Sequence, residues 1–199
     1  MRRIILIFFI SLVIILNAYL LFRSIRRTIH RNDRNSNQDM YEWFYSKTII
    51  EKNNNRYKLN PQKVISLNGD SVLLSDLLSD SRLIFRFSFL SCISCFDKEL
   101  DIIISEIKNL SRLQNNIIIL ISDYNLESFI ETKKKLVLAN SDIPIFGINP
   151  GNFCIPLEES SIPYYFTIDS SLIINDVFIP MKEFPKLTLD YLKTLNEVF

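Results

Sequence analysis

The residues whose types and spacing could do chemistry in this chain are two cysteines, Cys92 and Cys95, in the sequence C-I-S-C. The apolar run Leu83–Phe89 precedes them and predicts a buried strand, and apolar residues at helical spacing follow them. At the start of a helix, unpaired backbone N–H groups and the positive end of the helix dipole favour the Cys92 thiolate over the thiol. Cys95 would lie one turn further on the same face, where the two sulfurs can close a disulfide with little backbone movement. The pattern therefore predicts thiol–disulfide exchange, either reduction of a substrate disulfide or, in reverse, oxidation of a substrate dithiol.

The elements that must position this motif follow from the alternation of apolar runs and turns. The turn Asn68-Gly69-Asp70 joins two short apolar runs and predicts an N-terminal β-hairpin, because Asn and Gly tolerate the positive φ of a tight turn. After the hairpin, Ser75 is predicted to cap a short helix over Asp76–Leu78. Beyond the cysteines the predicted helices are Phe96–Leu110, Leu126–Leu138 and Leu187–Val198, and the predicted strands are Asn116–Ile121, Ile143–Phe146, Tyr164–Ile168 and Leu172–Phe178. This order predicts an α/β fold with a central mixed sheet flanked by helices.

Composition removes several reaction classes. The single histidine, His30, lies in an Arg- and Asn-rich stretch, so a Ser-His-Asp or Cys-His mechanism lacks its positioned imidazole. The cysteines and that distant histidine have no zinc-ligand spacing, and the three glycines are too far apart to form a phosphate-binding loop. We therefore expect no metal and no cofactor. The third cysteine, Cys154, is either a further redox thiol or a small buried hydrophobic residue.

The net charge of +1 conceals an uneven distribution of charged residues. Residues 1–34 hold seven arginines and one acid, which leaves 16 basic and 21 acidic residues in the rest of the chain. A nucleic-acid-binding protein concentrates lysine and arginine in its folded body, where phosphate contacts are made, and this chain does the reverse. We therefore expect no nucleic-acid partner.

The N-terminal segment Ile4–Phe22 is an almost uninterrupted apolar run. As a helix it spans about 28 Å, close to the ~30 Å hydrocarbon core of a bilayer. Two arginines precede it and no clear small-residue cleavage site follows, which predicts an uncleaved signal anchor that forms one transmembrane helix. The expected organisation is an anchor with basic flanks over residues 1–34, a polar tether over 35–59 with a short helix near Met40–Ile50, and a folded domain over 60–199.

Two signals disagree on the side of the membrane where the domain lies. Five arginines follow the apolar segment and two precede it, and this positive-inside count places the domain in the cytoplasm. Disulfide chemistry instead suits an oxidising space outside the cytoplasm. We predict a single-pass protein of the inner (cytoplasmic) membrane whose domain faces the periplasm or extracytoplasmic side, with the arginine count as the contrary signal.

A second motif, S-I-P-Y at residues 161–164, leads directly into a predicted strand that ends in Asp169. The strand, C-x-x-C and helix, together with this Ile-Pro motif, a β-hairpin and a C-terminal helix, resemble the thioredoxin superfamily over residues 60–199. More narrowly, the Asn-Gly-Asp turn, the Leu-Ser-Asp-Leu-Leu that follows it and the anchor resemble the membrane-tethered, TlpA-like bacterial thiol–disulfide oxidoreductases. The resemblance therefore implies a thioredoxin-like fold and an oxidoreductase activity.

The resemblance also implies roles for four residues. Cys92 and Cys95 would be the catalytic pair, and protein thiols and disulfides would be the partners. Pro163 would be a cis-proline, and Ile162 would offer backbone hydrogen bonds to the substrate peptide beside the disulfide.

Several residues depart from the family pattern. Members typically carry Trp before the first cysteine and Pro between the two, where this chain has Ser91 and Ile93-Ser94. Thioredoxin itself has a buried Asp six positions before the first cysteine, where this chain has Arg86. Arg86 either faces the sulfurs and lowers a thiol pKa, or faces away and pairs with an acid. The pair Glu158-Glu159, before the proline, is expected to be solvated.

Three other functions compete with disulfide exchange as interpretations of the sequence. The main alternative is a non-catalytic, membrane-tethered adaptor that keeps the fold. It would bind a partner through its sheet edge or through the loop around Ile162-Pro163, called the proline loop below. A thiol peroxidase is less favoured, because such enzymes usually place Thr or Ser three residues before the reactive cysteine, where this chain has Phe89. Copper delivery by a thioredoxin-like metallochaperone needs a distal histidine, which residues 60–199 lack.

Overall fold

The computed structural model describes residues 40–90, 93–123, 126–139, 141–149, 153, 155–160 and 162–199. The predicted anchor Ile4–Phe22 and its arginine flanks lie outside these residues, as do Cys92, Cys154 and Ser161. Within the described ranges, no helix combines the length and the apolar character that crossing a membrane requires. The anchor therefore stays a prediction from the sequence.

The described residues form helices and strands in the predicted order. The helices are α1 (40–54), α2 (Ile93–Glu106), α3 (Leu126–Leu138) and α4 (Pro185–Val198). The strands are β1 (Lys63–Ile65), β2 (Ser71–Leu73), β3 (Arg82–Ser88), β4 (Ile117–Ser122), β5 (Ile145–Gly147), β6 (Tyr164–Ile168) and β7 (Ile174–Phe178). Short 3₁₀ segments lie at Leu74–Leu77, Ile107–Asn109 and Pro156–Ser160. The predicted bounds of α3 and β6 are confirmed, and the other predicted strands and helices of the body are present with shifted ends.

The seven strands join one mixed sheet in the order β2-β1-β5-β4-β3-β6-β7. β3 pairs with β4 and β4 with β5 in parallel, because α2 and α3 form the crossovers between them, and the other neighbours are antiparallel. β4 lies at the centre, and all six of its residues are buried, as an unbroken apolar run predicts. The prediction of a central mixed sheet is therefore confirmed.

Side chains of the central strands alternate between two core layers. One layer holds Phe85 and Phe87 of β3 together with apolar residues of α2, α3 and α4. The other layer holds Ile84 of β3, Val64 of the hairpin and the apolar residues between 153 and 157, with Ile50 of α1 packed against them. Three of the described helices thus share one face, while the hairpin and irregular segments cover most of the other.

The hairpin forms as predicted, but the short helix after it differs. β1 and β2 pair in antiparallel register, and Gly69 takes the positive φ of 87° that the turn requires. The predicted helix capped by Ser75 is instead the 3₁₀ segment Leu74–Leu77, which has no side-chain cap. Leu74, the first residue of this segment, is buried, and the Ser75 hydroxyl lies 3.4 Å from Asp76 Oδ1 rather than over a helix end. The predicted cap is therefore wrong.

The folded unit begins earlier than the predicted boundary at residue 60. Residues Ile49–Phe199 form one compact unit, and Leu59 is buried in it. Side chains near the end of α1 accept hydrogen bonds from backbone N–H groups further along the chain. These bonds join Ile179 N to Glu51 Oε1 (2.7 Å), Val177 N to Asn55 Oδ1 (3.0 Å) and Leu157 N to Asn54 Oδ1 (3.2 Å). Residues 49–59, predicted as part of a tether, therefore complete the backbone bonding of the domain.

Candidate active site

The junction between β3 and α2 is where the sequence places the redox motif. β3 ends at Ser88 and α2 begins at Ile93, and the last two residues of the connection lie outside the described part of the chain. Cys95 lies in the first turn of α2, is partly buried and takes part in a disulfide bond. Its predicted partner, Cys92, lies outside the described residues. The described half of the motif thus holds an oxidised sulfur at the N-terminal end of a 14-residue helix.

An aromatic stack fixes the first turn of α2 against the sheet. The ring of Phe96, next to Cys95, stacks on Phe87 with centroids 3.6 Å apart and planes inclined by 11°. Phe85, on the same face of β3, stacks on Tyr165 of β6 at a centroid distance of 4.6 Å. Such pairs contribute about 0.5–1.5 kcal/mol beyond the area that they bury. The place of Cys95 is therefore set by the packing of its neighbour in the core.

The proline loop reaches the same end of the sheet. β6 runs antiparallel to β3, and Tyr164 pairs with Arg86, so the start of β6 lies beside the end of β3. Directly before β6, Pro163 is buried and Ile162 is partly exposed. The structure thus brings these two predicted site residues to the sheet end from which α2 starts.

The Ile162–Pro163 peptide bond is trans, because the described residues contain no cis peptide bond. The cis-proline implied by the resemblance is therefore wrong in this structure. Trans is the ordinary state of an X-Pro bond, with cis found in about 5–6% of such bonds in folded proteins. Here the trans bond leads a buried proline directly into the first residue of β6.

Arg86 lies on the face of β3 opposite the Phe87 ring and pairs with an acid. Its side chain is 4% exposed, and its Nη2 lies 2.6 Å from Glu158 Oε2 and 2.8 Å from Ser122 Oγ. Its Nη1 donates to the backbone carbonyl of Phe87. Of the two alternatives for Arg86, the structure shows the pairing with an acid. The expectation that Glu158 is solvated is wrong, because the buried guanidinium holds this carboxylate at 14% exposure.

The second oxygen of Glu158 closes the proline loop. Glu158 Oε1 accepts a hydrogen bond from the hydroxyl of Tyr164, the residue after Pro163. Burial, aided by the nearby Glu158 charge, raises the pKa of Tyr164 well above its usual range, so the phenol stays protonated and remains a donor. Glu158 lies in the 3₁₀ segment before the proline, so one side-chain bond spans the loop.

A second buried carboxyl lies on α2 itself. Glu99 is 2% exposed and follows Cys95 by one helical turn, which places both on the same face. Its Oε2 accepts a hydrogen bond from the Tyr165 hydroxyl at 3.0 Å, and its Oε1 lies 3.4 Å from Thr188 Oγ1 of α4. Desolvation by burial raises the pKa of Glu99, while these two bonds and the Lys98 charge oppose the shift.

Sequence reasoning missed Glu99, although a signal for it exists. Phe96, Leu100 and Ile103 surround position 99 at helical spacing, which puts this acid on the apolar face of α2. The pairing of Arg86 with Glu158 has no such signal, because 72 residues separate the two and only the pairing of β3 with β6 brings them together.

The described residues offer no metal site. Among them, no three His, Cys, Asp or Glu side chains group in a way that could hold a metal ion. The carboxyl groups of Glu158 and Glu99 accept hydrogen bonds from the hydroxyl groups of Tyr164 and Tyr165.

Solved structures of other proteins share this arrangement of strands and helices. A candidate electron transfer protein from Aquifex aeolicus VF5 gives a TM-score of 0.53 at 9% sequence identity, covering 69% of this chain and 92% of that one. A candidate protein disulfide isomerase from Bacteroides thetaiotaomicron gives a TM-score of 0.51 at 18% identity, covering 72% of this chain and 88% of that one. No protein-family model and no curated protein sequence matches the chain. At these identities the likeness establishes the fold and not the activity.

Proposed function

We propose that this chain, whose thioredoxin-like fold is the one implied by its sequence, is a thiol–disulfide oxidoreductase that uses Cys92 and Cys95. The observation that carries the proposal is the disulfide-bonded Cys95 in the first turn of α2, at the sheet end where Ile162 and Pro163 lead into β6. Protein thiols and disulfides are the proposed substrates, and the exchange itself needs only the sulfur atoms and protons.

The proposed cycle moves electrons through the two sulfurs. In the reducing direction, the Cys92 thiolate attacks one sulfur of a substrate disulfide, whose S–S bond breaks and whose other sulfur leaves as a thiolate. Cys95 then loses its proton and attacks the Cys92 sulfur of the mixed disulfide. This step releases the second substrate thiolate and leaves the Cys92–Cys95 disulfide. In reverse, the same steps pass that disulfide to a substrate dithiol and leave the enzyme reduced.

Two features of α2 support this cycle. The 14-residue helix directs its unpaired N–H groups and positive dipole end toward the motif, which favours the thiolate. Side chains on a helix lean toward its N-terminus, which directs Glu99 toward the turn that contains Cys95. A carboxyl with a raised pKa is suited to accept and return a proton closer to neutral pH. We assign to Glu99 the exchange of the proton that Cys95 loses and regains.

The proline loop is the proposed docking surface for the substrate peptide. Ile162 is partly exposed, and β6 begins only at Tyr164, so the Ile162 backbone lies outside the strand pairing. An extended peptide gains backbone hydrogen bonds on such a surface. Leu90, which is 80% exposed in the connection after β3, offers an apolar contact at the same sheet end.

We propose further that residues 4–22 anchor the domain outside the cytoplasm. The support is the apolar run together with the redox chemistry of the domain. The test fuses alkaline phosphatase, active only outside the cytoplasm, or green fluorescent protein to the C-terminus of the full chain. Phosphatase activity without fluorescence is expected, and the reverse result would place the domain in the cytoplasm, in agreement with the arginine count.

Catalytic turnover of the full chain in detergent tests the proposed activity. With dithiothreitol as electron donor and insulin as the disulfide substrate, the wild type is expected to accelerate reduction. Cys92→Ser should abolish the acceleration, and Cys95→Ser should accumulate a mixed disulfide, whereas Cys154→Ser serves as the matched control that keeps the activity. A wild type without acceleration, or a Cys92→Ser variant as fast as wild type, would overturn the proposal.

The adaptor alternative predicts a different outcome in cells. Replacing both Cys92 and Cys95 by serine leaves an adaptor intact, because the fold and its surfaces are kept. The same double variant fails to restore the phenotype of a deletion strain if the protein acts by disulfide exchange.

A further inference from the structure

Arg86 and Glu158 form a buried charge pair that the packing of the core does not require. Arg86 is 3% exposed on a sheet face that also carries buried apolar residues such as Ile84. Taking both charges out of water costs much of what their attraction returns, so a buried ion pair is weak evidence for a stabilising role. Within the described part of the chain, Arg86 Nε has no hydrogen-bond acceptor, which adds to that cost. These observations point to a role other than stability.

One end of the pair holds the proline loop. Arg86 Nη2 lies 2.6 Å from Glu158 Oε2, and the other Glu158 oxygen accepts the Tyr164 hydroxyl. Glu158 precedes Ile162 and Pro163, and Tyr164 follows them. The Glu158 carboxylate therefore bonds both to Tyr164, on the other side of the proline, and to Arg86 of β3.

The other end of the pair reaches the segment that leads to the cysteines. Arg86 Nη2 donates to Ser122 Oγ at 2.8 Å, and Ser122 Oγ donates to Asp123 Oδ2 at 2.7 Å. Asp123 Oδ2 also accepts from Ser88 Oγ at 2.7 Å, and Ser88 Oγ accepts from the backbone N–H of Leu90 at 3.1 Å. Leu90 lies two residues before the first cysteine of the motif. An unbroken series of polar contacts thus connects the proline loop with the connection that carries the redox motif.

We propose that Arg86 and Glu158 are positioning residues that hold Ile162 and Pro163 at a fixed place relative to the redox cysteines, and so determine how a protein substrate docks beside them. The inference rests on the proposed function. A peptide that docks through hydrogen bonds to the Ile162 backbone is held and aligned only while the loop keeps its place, so a displaced loop weakens its binding. A small disulfide lacks the peptide that the loop aligns, so its exchange depends on the cysteines alone.

The test compares a protein substrate with a small one. The double variant Arg86→Met with Glu158→Gln removes both charges, so that neither is left buried and unpaired. We expect the KM for insulin to rise about ten-fold, the effect of losing about one backbone hydrogen bond to the peptide. Turnover of bis(2-hydroxyethyl) disulfide and the redox potential of the cysteines should stay unchanged. Arg82→Met is the matched control, because Arg82 is an arginine at the opposite end of β3, bonded to Asn116 Oδ1 at 2.9 Å. It is expected to leave the KM for insulin unchanged.

A milder variant keeps the inference testable if the double variant folds poorly. Tyr164→Phe removes only the hydroxyl that holds Glu158 and keeps the ring, which stacks on Phe166 at 5.7 Å. Its KM for insulin is expected to rise in the same direction by a smaller factor. Hydrogen exchange provides a second readout, because backbone amides of residues 157–164 should exchange faster in both variants than in wild type or Arg82→Met.

Three results would overturn the inference. A change in redox potential, or an equal loss of insulin and small-disulfide turnover, would show that the pair acts on the cysteines themselves. An unchanged KM together with unchanged amide exchange would show that the pair does not hold the loop.

If the wild type exchanges no disulfide with either substrate, the proposed function fails, and amide exchange alone then decides whether the pair holds the loop.

Discussion

Arg86 and Glu99 are two buried ionisable residues that lie on opposite sides of β3. Thioredoxin has a buried acid six positions before the first cysteine, whereas this chain has Arg86 there and its buried acid one turn after Cys95. The cysteine motif could be predicted because its four residues are local in the sequence. The partners of Arg86 and Glu99 could not, because strand pairing and helix docking bring Glu158 and Tyr165 to them.

Glu99 should make the stability of the domain depend on pH. Its pKa is raised by burial, so the folded state holds more protons than the unfolded state between the unfolded and folded pKa values. Stability from this group is fully present below the unfolded pKa and falls as pH rises through the folded one. We therefore expect the free energy of unfolding of Glu99→Gln, compared with that of wild type, to be more favourable at pH 8 than at pH 4. Urea unfolding of both proteins at the two pH values measures this difference. The exposed Asp101→Asn is the matched control on the same helix, and an equal effect of Glu99→Gln at both pH values would contradict the prediction.

Glu99→Gln should also slow the step in which Cys95 resolves the mixed disulfide. General acid–base groups contribute roughly a hundred-fold or more to such proton transfers. Acid-quenched single-turnover experiments with insulin would measure how long the mixed disulfide persists, with Asp101→Asn again as the control. If the lifetime in Glu99→Gln equals that in wild type, Glu99 takes no part in proton exchange.

At the scale of elements, prediction succeeded where one short stretch carries the signal. The apolar run of β4, the Asn68-Gly69-Asp70 turn and the helical spacing of apolar residues in α2 each specify their structure locally. Prediction failed for residues 49–59, because their polar side chains resemble those of a solvated tether. Asn54 and Asn55 instead accept hydrogen bonds from backbone groups more than a hundred residues away, which no local pattern reveals.

The first turn of α2 should depend on the ring of Phe96. Phe96→Ala removes the stack on Phe87 and leaves a cavity, which should lower the free energy of unfolding by about 3–5 kcal/mol. Phe96→Leu keeps most of the volume and should cost less than about 1.5 kcal/mol. Leu138→Ala, 85% exposed at the end of α3, is the control and should change stability by less than about 0.5 kcal/mol. Urea unfolding measures all three, and an equal loss in Phe96→Ala and Leu138→Ala would contradict this account.

At the scale of the whole molecule, the chain combines a basic, apolar N-terminal part with an acidic folded domain. Residues 1–34 hold seven of the 23 basic residues and one of the 22 acidic ones. The arginines suit anionic lipid head groups next to the predicted anchor, and the compact unit over Ile49–Phe199 carries the candidate site.

Truncation should locate the start of that unit. A chain beginning at residue 40 keeps the bonds of Glu51, Asn54 and Asn55 and should unfold cooperatively in urea. A chain beginning at residue 60 loses these acceptors, and each buried backbone N–H left without one costs about 1–3 kcal/mol. Equal stability of the two chains would instead support the tether that the sequence predicted over residues 35–59.

The central claim is that Cys92 and Cys95 form one redox couple, and an equilibrium titration of the full chain tests it most directly. The chain is equilibrated with mixtures of reduced and oxidised dithiothreitol, free thiols are alkylated, and mass spectrometry determines the alkylated fraction at each cysteine. We predict that Cys92 and Cys95 become alkylated together in one two-electron transition. A midpoint near ~−270 mV would indicate a reductant and one near ~−120 mV an oxidant. The absence of a reversible transition, or a transition in which Cys95 pairs with Cys154 while Cys92 stays free, would contradict the claim.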